Sequence, residues 1–457
     1  MNQAAQKQKL DMLNGSLWNK IPQFALPVAA TAILEQLFNA SDIAVVGNFS
    51  GTASTIAVAA VGANSFVISL VVNFFIGIAL GANVVIANAI GREDEDAVHR
   101  AVHTAVVISV RGGVLVTLFG ELAAGTVLRS LNVPEKVLPY ALLYLRIYLL
   151  GVPVILLYNF EAAIFRSVGD TKVPLQTLAF SGVLNVLLNL FFVIVLHMTV
   201  NGVATATVIS NAISSSLLFV RLRRSDKAIH LNWKELRIDR KSLQKILQIG
   251  FPAGIQSAVF SISNIVIQSA INSLGTVVMA ASSAAFNIEV IAYDVLSSFS
   301  QACTTFVGQN YGARKLDRCR KTLVLCLVED TVASGLAIML VLCSGHFLLS
   351  LFNQDPEVIS IGYTRLMVVF TAYFFSMLYE VMSGYLRGFG ISLVPALLTM
   401  LGVCGVRILW VATAFPQHRS FQTILLAYPL SLAATAVLIF IALLVYHPSH
   451  KTKGEAV

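Results

Sequence analysis

Long apolar segments separated by short polar stretches dominate this chain. A window of about 20 residues is the length that a helix needs to cross roughly 30 Å of hydrocarbon. Twelve such segments lie near 21–48, 54–89, 97–127, 138–164, 174–197, 201–221, 245–272, 277–307, 321–350, 359–385, 395–415 and 422–446. The short alternating strands of a membrane barrel are absent, and lipid offers free backbone amides no partner. The pattern therefore predicts an all-α integral membrane protein with twelve transmembrane helices.

One polar motif between these segments occurs twice in the chain. FRSVGDTKVP at 165–174 returns 221 residues later as LRGFGISLVP at 386–395, and the same offset places Gly91 on Gly312. We interpret the chain as two tandem copies of six spans, both in the same orientation and related by an axis along the membrane normal. The motif itself is predicted to be a structural turn, with arginine at the headgroups, glycine at an unusual backbone angle and proline in the next helix's first turn.

The repeat predicts five regions. They are an N-terminal cytoplasmic segment at 1–20, a first lobe at 21–221, a basic linker at 222–244, a second lobe at 245–446 and a cytoplasmic tail at 447–457. We expect no processed leader before the first span. The linker is rich in lysine and arginine, so we expect a basic helix that rests on anionic headgroups.

Composition and charge agree with a membrane protein. Hydrophobic residues make up 57% of the chain and charged residues 12%, and the mean hydropathy is +0.79. By our count, 24 lysines and arginines lie on the side of the N-terminus and three on the other side. This bias predicts that both termini are cytoplasmic. It also explains the net charge of +8 without a nucleic-acid partner.

Catalytic and metal-binding patterns are missing from the sequence. Five scattered cysteines without CxxC spacing favour buried small hydrophobic residues over disulfides or zinc ligands. Neither HExxH nor GxSxG occurs. We therefore expect no enzyme and no cofactor.

Several motifs, in this order and spacing, carry a family resemblance. They are FNASDIAVVG at 38–47, FRSVGDTKVP at 165–174, NVLLN at 185–189, NGVATATVIS at 201–210, FVGQNYGA at 306–313 and LRGFGISLVP at 386–395. Together they resemble the multidrug and toxic compound extrusion (MATE) family, closest to its bacterial DinF-like and MepA-like branch. The resemblance implies a cation-coupled antiporter of the bacterial inner membrane. Such a protein exports small organic compounds, often cationic and amphipathic, by alternating access between two lobes, and we expect a monomer in the lipid bilayer.

Ionisable groups inside the first span are the first candidates for ion coupling, because charge in a membrane is costly. Glu35, Asn39 and Asp42 are spaced i, i+4 and i+7, which places them on one helix face. The resemblance implies that Asp42 is the coupling residue. The alternative is that Asp42 is an interfacial helix-end residue, and Glu35 either assists it or pairs with a neighbour.

Amides in the fifth span bear on the coupling ion. Asn185 and Asn189 are one turn apart. DinF-like proteins tend to carry Asn-x-x-x-Asp here, so Asn189 departs from their pattern. Losing that second carboxylate should weaken sodium binding more than protonation of Asp42, which favours proton coupling. A sodium site built from Asp42, Asn185, Asn189 and the sixth-span Thr207 remains the alternative, and Thr207 is equally expected to bond back to its own helix.

The second lobe carries candidates of its own. Asn287, Asp294 and Gln301 recur on one face of the eighth span, and Glu289 lies off that face. A solvated or structural role for Asp294 is the alternative to a site role. Gln256 matches the PxxxQ motif of NorM-like members, but no acid follows it here. The seventh-span mechanism of those members is therefore not carried over.

Other charged residues in the spans are expected to be structural. Glu380 and Arg387 are seven residues apart in the tenth span and should share a face without touching. Arg111 is predicted to pair with Glu121 in the third span, and Arg407 in the eleventh span also to be paired, because lone charges are costly there. A lipid-linked precursor flippase of the wider superfamily is the remaining functional alternative. It would show more spans or a strongly cationic central cavity.

Overall fold

Twelve helices are long and apolar enough to span a membrane in the described part of the chain, which confirms the predicted fold class. The computed structural model describes residues 10–51, 54–131, 133–225, 228–446 and 448. The helices are α1 Leu17–Phe49, α2 Ser54–Gly91, α3 Glu95–Ser130, α4 Leu138–Ser167, α5 Lys172–Val195, α6 Val200–Arg223, α7 Arg240–Asn272, α8 Thr276–Gly312, α9 Leu316–Ser350, α10 Pro356–Gly388, α11 Leu393–Gln417 and α12 Phe421–Tyr446. No predicted end differs from these by more than five residues.

The described helices divide between two compact units. The first contains Ala30–Ile90 and Asp94–Gly250, and the second contains Leu10–Ala29, Gly91–Glu93 and the chain from Phe251 onward. Residues 1–9 of the predicted N-terminal segment, and the predicted tail apart from residue 448, lie outside the described residues. The lobe boundaries inferred from the sequence stay a prediction.

Helix packing repeats from one unit to the other. In the first unit α4 packs on α3 and α6, and α5 packs on α6. In the second unit α10 packs on α9 and α12, and α11 packs on α12. Adding six to the helix numbers of each pair in the first unit gives the corresponding pair in the second unit, which supports the tandem repeat.

One buried hydrogen bond also recurs at the repeat distance. Asn83 Nδ2 on α2 donates to the Ala163 carbonyl on α4 at 3.1 Å. The positions 221 residues later are Thr304 on α8, whose Oγ1 donates at 3.0 Å to the carbonyl of Gly384 on α10. Both donors are buried polar groups that need a partner away from water. Different side chains thus meet the same backbone position in each copy.

The repeated polar motif is a helix-ending turn in both copies, as predicted. Gly169 and Gly390 have φ of +81° and +83°, the left-handed region that favours glycine. Their amides donate to the Arg166 carbonyl at 2.9 Å and the Arg387 carbonyl at 2.8 Å. The following amide donates to the carbonyl one residue further back in each copy, which completes the Schellman pattern. The motif therefore closes α4 and α10 before a proline-containing first turn.

The linker is not the basic helix that its charge predicted. Among its described residues the one helical element after α6 is the 3-10 turn Trp233–Glu235, and α7 begins at Arg240. Ile229 and Leu231 are 2% and 1% exposed and join the core of the first unit. Burial of these two aliphatic side chains stabilises this non-helical part of the linker against the unit. A basic helix exposed to water would not gain this stabilisation.

The predicted pair in α3 is also wrong. Glu121 Oε2 lies 3.5 Å from Arg146 Nε on α4, and Arg111 is exposed. Ten residues along a helix correspond to a rise of about 15 Å and nearly three turns, which is too far for a direct contact. A neighbouring helix supplies the partner instead.

Candidate functional site

Four polar side chains of the first unit meet between α1, α5 and α6. Asp42 Oδ1 accepts a hydrogen bond from Asn189 Nδ2 at 2.5 Å, and its Oδ2 accepts one from Thr207 Oγ1 at 2.9 Å. Asn189 Nδ2 is also 3.2 Å from Asn185 Oδ1, and Asn185 Nδ2 donates to Thr207 Oγ1 at 3.5 Å. We call these four residues the Asp42 cluster. The structure thus brings together every residue of the sodium site considered from the sequence.

The cluster is shielded from its surroundings. Asp42 and Asn185 are 5% and 4% exposed, and Asn189 is fully buried. Thr207 is half-buried and also lies 3.0 Å from the carbonyl of Val203, the bond to its own helix that was the alternative role. The hydroxyl group has one hydrogen, so the Asp42 carboxylate and the Val203 carbonyl compete for the same donor. Because buried polar groups require partners, the four side chains hold each other in position.

Local helix geometry places the amides at an irregular point of α5. Its regular part ends at Leu190 and a π turn spans Phe191–Val195, directly after Asn189. The α11 helix carries a second π turn at Met400–Gly405. Single π turns inside α-helices often mark functional positions, because they re-aim the side chains beside them.

The charge of Asp42 is balanced by neutral donors alone. Within the described chain its carboxylate is hydrogen-bonded to the amides of Asn189 and Asn185 and to the hydroxyl group of Thr207, and no salt bridge to a lysine or arginine is found there. The Asn189 carbonyl oxygen, Oδ1, has no hydrogen-bond partner among the described residues. A single carboxylate among neutral dipoles is chemically suited to take up one small cation or one proton.

Two tyrosines beside the cluster were not predicted. Tyr144 and Tyr148 are one turn apart on α4, and their ring centroids are 6.3 Å apart. Both side chains are close enough to Asp42 to interact with it electrostatically. Their spacing in the sequence is the one signal that would have placed them on a common face. The two stacked rings therefore lie near the carboxylate of Asp42.

The other two residues of the first-span stripe lie outside the cluster. Asn39 is exposed, and Glu35 is half-buried near Tyr158 and Arg166. Of the three residues of this stripe, Asp42 is the one that belongs to the cluster. Nearby, sequence reasoning also missed Glu161, which is fully buried on α4 and accepts a hydrogen bond from Ser215 Oγ at 2.9 Å.

The second-unit candidates do not form a comparable cluster. Asn287 is exposed and donates to the Ser283 carbonyl on its own helix at 2.9 Å, and Asp294, Gln256 and Gln301 are half-buried. In the described part of the chain no hydrogen bond joins these four candidates. The Asp294 Oδ2 atom is buried without a hydrogen-bond partner among the described residues.

The strongest polar interaction of the second unit involves the residue that lay off the predicted stripe. Glu289 accepts two hydrogen bonds from Arg365 on α10, at 2.7 Å from Nε and 2.9 Å from Nη2. Arg365 also donates to Ser282 Oγ and to Tyr428 Oη, the latter at 3.1 Å. Both partners of the ion pair are nearly inaccessible. A bidentate pair that is also hydrogen-bonded to its neighbours is a structural clamp between α8 and α10.

Glu380 and Arg387 touch, contrary to the prediction. Arg387 Nη2 lies 3.4 Å from Glu380 Oε2, and Tyr293 Oη donates to Glu380 Oε1 at 2.9 Å. Seven residues correspond to a rise of about 10.5 Å, but helical side chains tilt toward the N-terminus. A long arginine side chain therefore reaches back over two turns.

Arg407 is paired, but its described partners are neutral. Its Nε donates to Ser431 Oγ at 3.1 Å and its Nη1 to Asn264 Oδ1 at 3.4 Å. The guanidinium carbon lies 4.5 Å from the centre of the Tyr428 ring. The aromatic face and the two oxygens together stabilise its positive charge.

Twelve spanning helices in two repeated units, with a buried carboxylate among polar side chains of three helices, characterise a secondary membrane transporter. The MatE family profile matches residues 27–191 and 252–412. The chain therefore belongs to the MATE family, whose members are transporters and not enzymes.

Relatives cover nearly the whole chain. The probable multidrug resistance protein YoeA of Bacillus subtilis is 27% identical over 439 residues, which cover 93% of each chain. The probable multidrug resistance protein NorM of Thermotoga maritima is 27% identical and covers 95% of this chain and 93% of its own. The multidrug export protein MepA of Staphylococcus haemolyticus is 20% identical over 82% of each chain.

A solved structure shows the same fold. The outward-facing conformation of a multidrug resistance MATE family transporter superposes with a TM-score of 0.88, at 19% sequence identity. It covers 97% of this chain and 99% of its own. The likeness thus extends over all twelve helices and confirms the family's fold.

Proposed function

We propose that this protein exports small organic compounds from a bacterial cell in exchange for protons, with Asp42 as the proton carrier. The observation that carries the proposal is the Asp42 cluster. One buried carboxylate on α1 bonds to neutral partners on α5 and α6, so a change of its charge changes the bonding among these three spans. The names of the relatives support efflux of drugs as the activity.

The proposed cycle follows from the hydrogen bonds of Asp42. The ionised carboxylate accepts from Asn189 on one oxygen and from Thr207 on the other. A proton removes the negative charge and places an O–H donor on one oxygen, so the hydrogen bond on that side weakens at Asn189 or can reverse at the Thr207 hydroxyl group. Proton binding from outside thereby releases α1 from α5 or α6. Loss of the proton to the cytoplasm restores the cluster and completes the cycle.

Proton coupling fits the orientation of the amides better than sodium coupling. Asn189 points its amino group at Asp42, and Asn185 points its amino group at Thr207. A sodium ion prefers oxygen ligands, so both amides would have to turn over before they could coordinate it with Asp42. The cluster also offers one formal negative charge. Sodium coupling remains the second candidate because the partnerless Asn189 Oδ1 is an oxygen ligand within the same cluster.

The membrane placement completes the proposal. The excess of basic residues on one side of the spans supports cytoplasmic termini in the inner membrane. The protein would act there as a monomer, with small organic compounds as substrates. An unpaired carboxylate suits cationic substrates because it attracts positive charge once its proton has left.

Transport by the purified protein in liposomes tests the coupling ion. Export of a fluorescent organic cation is followed with an imposed pH gradient and no sodium, and then with a sodium gradient at equal pH. The proposal expects the pH gradient alone to drive export. Export that requires the sodium gradient would support the second candidate. The variant Asn189→Asp restores a second carboxylate, so we expect it to gain sodium dependence.

A further inference from the structure

Two histidines and a glutamate meet where the linker contacts the start of α3, away from the Asp42 cluster. His99 and His103 are one turn apart with ring centroids 3.9 Å apart, and Glu235 lies in the 3-10 turn of the linker. His99 Nε2 is 3.2 Å from Glu235 Oε2. One ligand atom from each of the three residues lies within 4.8 Å of the other two. We propose that these residues form a binding site for a divalent transition-metal ion such as Zn²⁺.

The residue types and their spacing suit such an ion. Imidazole nitrogens and a carboxylate oxygen are common Zn²⁺ ligands, and histidines at i and i+4 present both rings on one helix face. In a tetrahedral site with bonds of about 2.0–2.1 Å, ligand atoms are roughly 3.4 Å apart. The His99 and Glu235 atoms already have this separation. Rotation of the His103 side chain would bring its ring nitrogen to the third ligand position, and water would supply the fourth ligand.

The hydrogen bonds of His103 prepare it as a ligand. Its Nδ1 lies 2.8 Å from the His99 carbonyl oxygen, and its Nε2 lies 3.2 Å from the Asn232 carbonyl oxygen. In the tautomer that carries its hydrogen on Nδ1, Nε2 has the electron pair that a metal ion needs. Metal-binding histidines commonly donate their other ring N–H to a carbonyl in this way. In the absence of an ion, Nε2 accepts from the Asn232 amide at 3.0 Å. An ion would replace that bond.

Glu235 is also held in place, and the site is open to water. Asn232 Nδ2 donates to Glu235 Oε1 at 2.5 Å, which leaves Oε2 directed at His99. An open groove of about 640 Å³ reaches Glu235 and His99, and its walls include Glu95 and Asp96. These acids attract a cation to the groove, whereas the small pocket lined by all three ligand residues is also lined by Arg100, Arg237 and Asp239.

Binding of an ion would fasten the linker to α3. The linker is already held by Trp233, whose ring meets Phe219 edge to face at 5.5 Å, and by the Asp239 amide, which donates to Thr104 Oγ1 at 3.0 Å. A bound ion would form one coordinate bond with each of Glu235, His99 and His103, and so would join the linker to α3. The ion therefore stabilises the folded arrangement of this surface, by an amount that grows with the logarithm of the ratio of its concentration to its dissociation constant.

Zinc binding to the full-length protein in detergent tests this proposal. The protein carries a tag without histidine and the substitutions His447→Ala and His450→Ala, because these two tail histidines lie outside the described residues. Zn²⁺ is titrated against a chromophoric chelator. We expect one equivalent to bind, and His99→Ala and Glu235→Gln each to weaken binding by at least about tenfold.

A matched control distinguishes the site from the groove around it. His230 lines the same groove but lies outside the ligand set, so His230→Ala should bind Zn²⁺ like the parent. Zn²⁺ should raise the melting temperature of the parent and of His230→Ala, and not that of His99→Ala or Glu235→Gln. Absence of stoichiometric binding, or binding that survives both ligand substitutions, would overturn the proposal. Equal loss of binding in His230→Ala would do the same.

Discussion

Removing the charge of Glu289 should destabilise the second unit strongly. Glu289→Gln keeps the size of the side chain but replaces one carboxylate oxygen by an amino group, which faces an N–H of Arg365 instead of accepting from it. Arg365 is 2% exposed and then retains its positive charge with only Ser282, Tyr428 and aromatic faces around it. The substitution therefore leaves a buried cation without its counter-charge.

The expected loss is large because the pair is buried. Breaking a buried ion pair by removing one partner costs about 3–5 kcal/mol, since the remaining charge stays desolvated. The pair of Glu121 and Arg146 provides a matched control in the first unit. Its side chains are 28% and 53% exposed and its atoms 3.5 Å apart. This pair is less buried and less tightly bonded than that of Glu289 and Arg365, so Glu121→Gln should lower the stability less than Glu289→Gln.

The chain's own cysteines provide the assay. All five cysteines lie in the second unit, and the four that are buried become accessible to a thiol-reactive fluorescent dye when that unit unfolds in detergent. The loss of far-ultraviolet circular dichroism reports the unfolding of the first unit as well. We expect the melting temperature of Glu289→Gln to fall well below that of the parent, and that of Glu121→Gln to fall by less. The double variant Glu289→Met/Arg365→Met removes both charges and should recover much of the loss.

Two outcomes would refute the reasoning. If Glu289→Gln melts at the temperature of the parent, the neutral neighbours of Arg365 stabilise its positive charge without the carboxylate. If the double variant is as unstable as the single one, the loss comes from packing and not from the uncompensated charge.

Two further predictions concern topology and the repeated turn. Cysteines introduced at Ser225 and Arg314 in a cysteine-free background should react with a membrane-impermeant reagent only from the cytoplasm, and one at Gln417 only from outside; the same sidedness for all three would contradict the topology. Gly169→Ala should lower the melting temperature, because a side chain at φ +81° costs about 1 kcal/mol. Gly125→Ala, which meets open space within α3, is its control, and equal effects of the two would argue against backbone strain.

The twelve helices and their repeat were predictable because lipid imposes both the length and the composition of a span. The turn at Gly169 was predictable for a related reason, since glycine before a proline-led helix has few structural alternatives. The Asp42 cluster was partly predictable. Spacing placed Asn185 and Asn189 on one face, but their contact with Asp42 and Thr207 came from the resemblance to a known family.

Contacts between distant helices were not predictable. Glu289 and Arg365 are 76 residues apart, and no periodicity of either helix shows that they meet. Net charge also misled the prediction for the linker, because burial of Ile229 and Leu231 outweighs the attraction of a basic segment to headgroups. The pair His99 and His103 was visible as His-x-x-x-His, whereas the third member, Glu235, depends on where the linker folds back.

Proton movement that accompanies drug movement tests the central role of Asp42 most directly. Parent protein, Asp42→Asn and the exposed control Asp317→Asn are placed in liposomes that contain a pH indicator, without sodium. A gradient of an organic cation is then imposed. We predict that the parent and Asp317→Asn move protons against the drug, and that Asp42→Asn still binds the drug but moves no protons. Drug-driven proton movement that persists in Asp42→Asn would contradict the account.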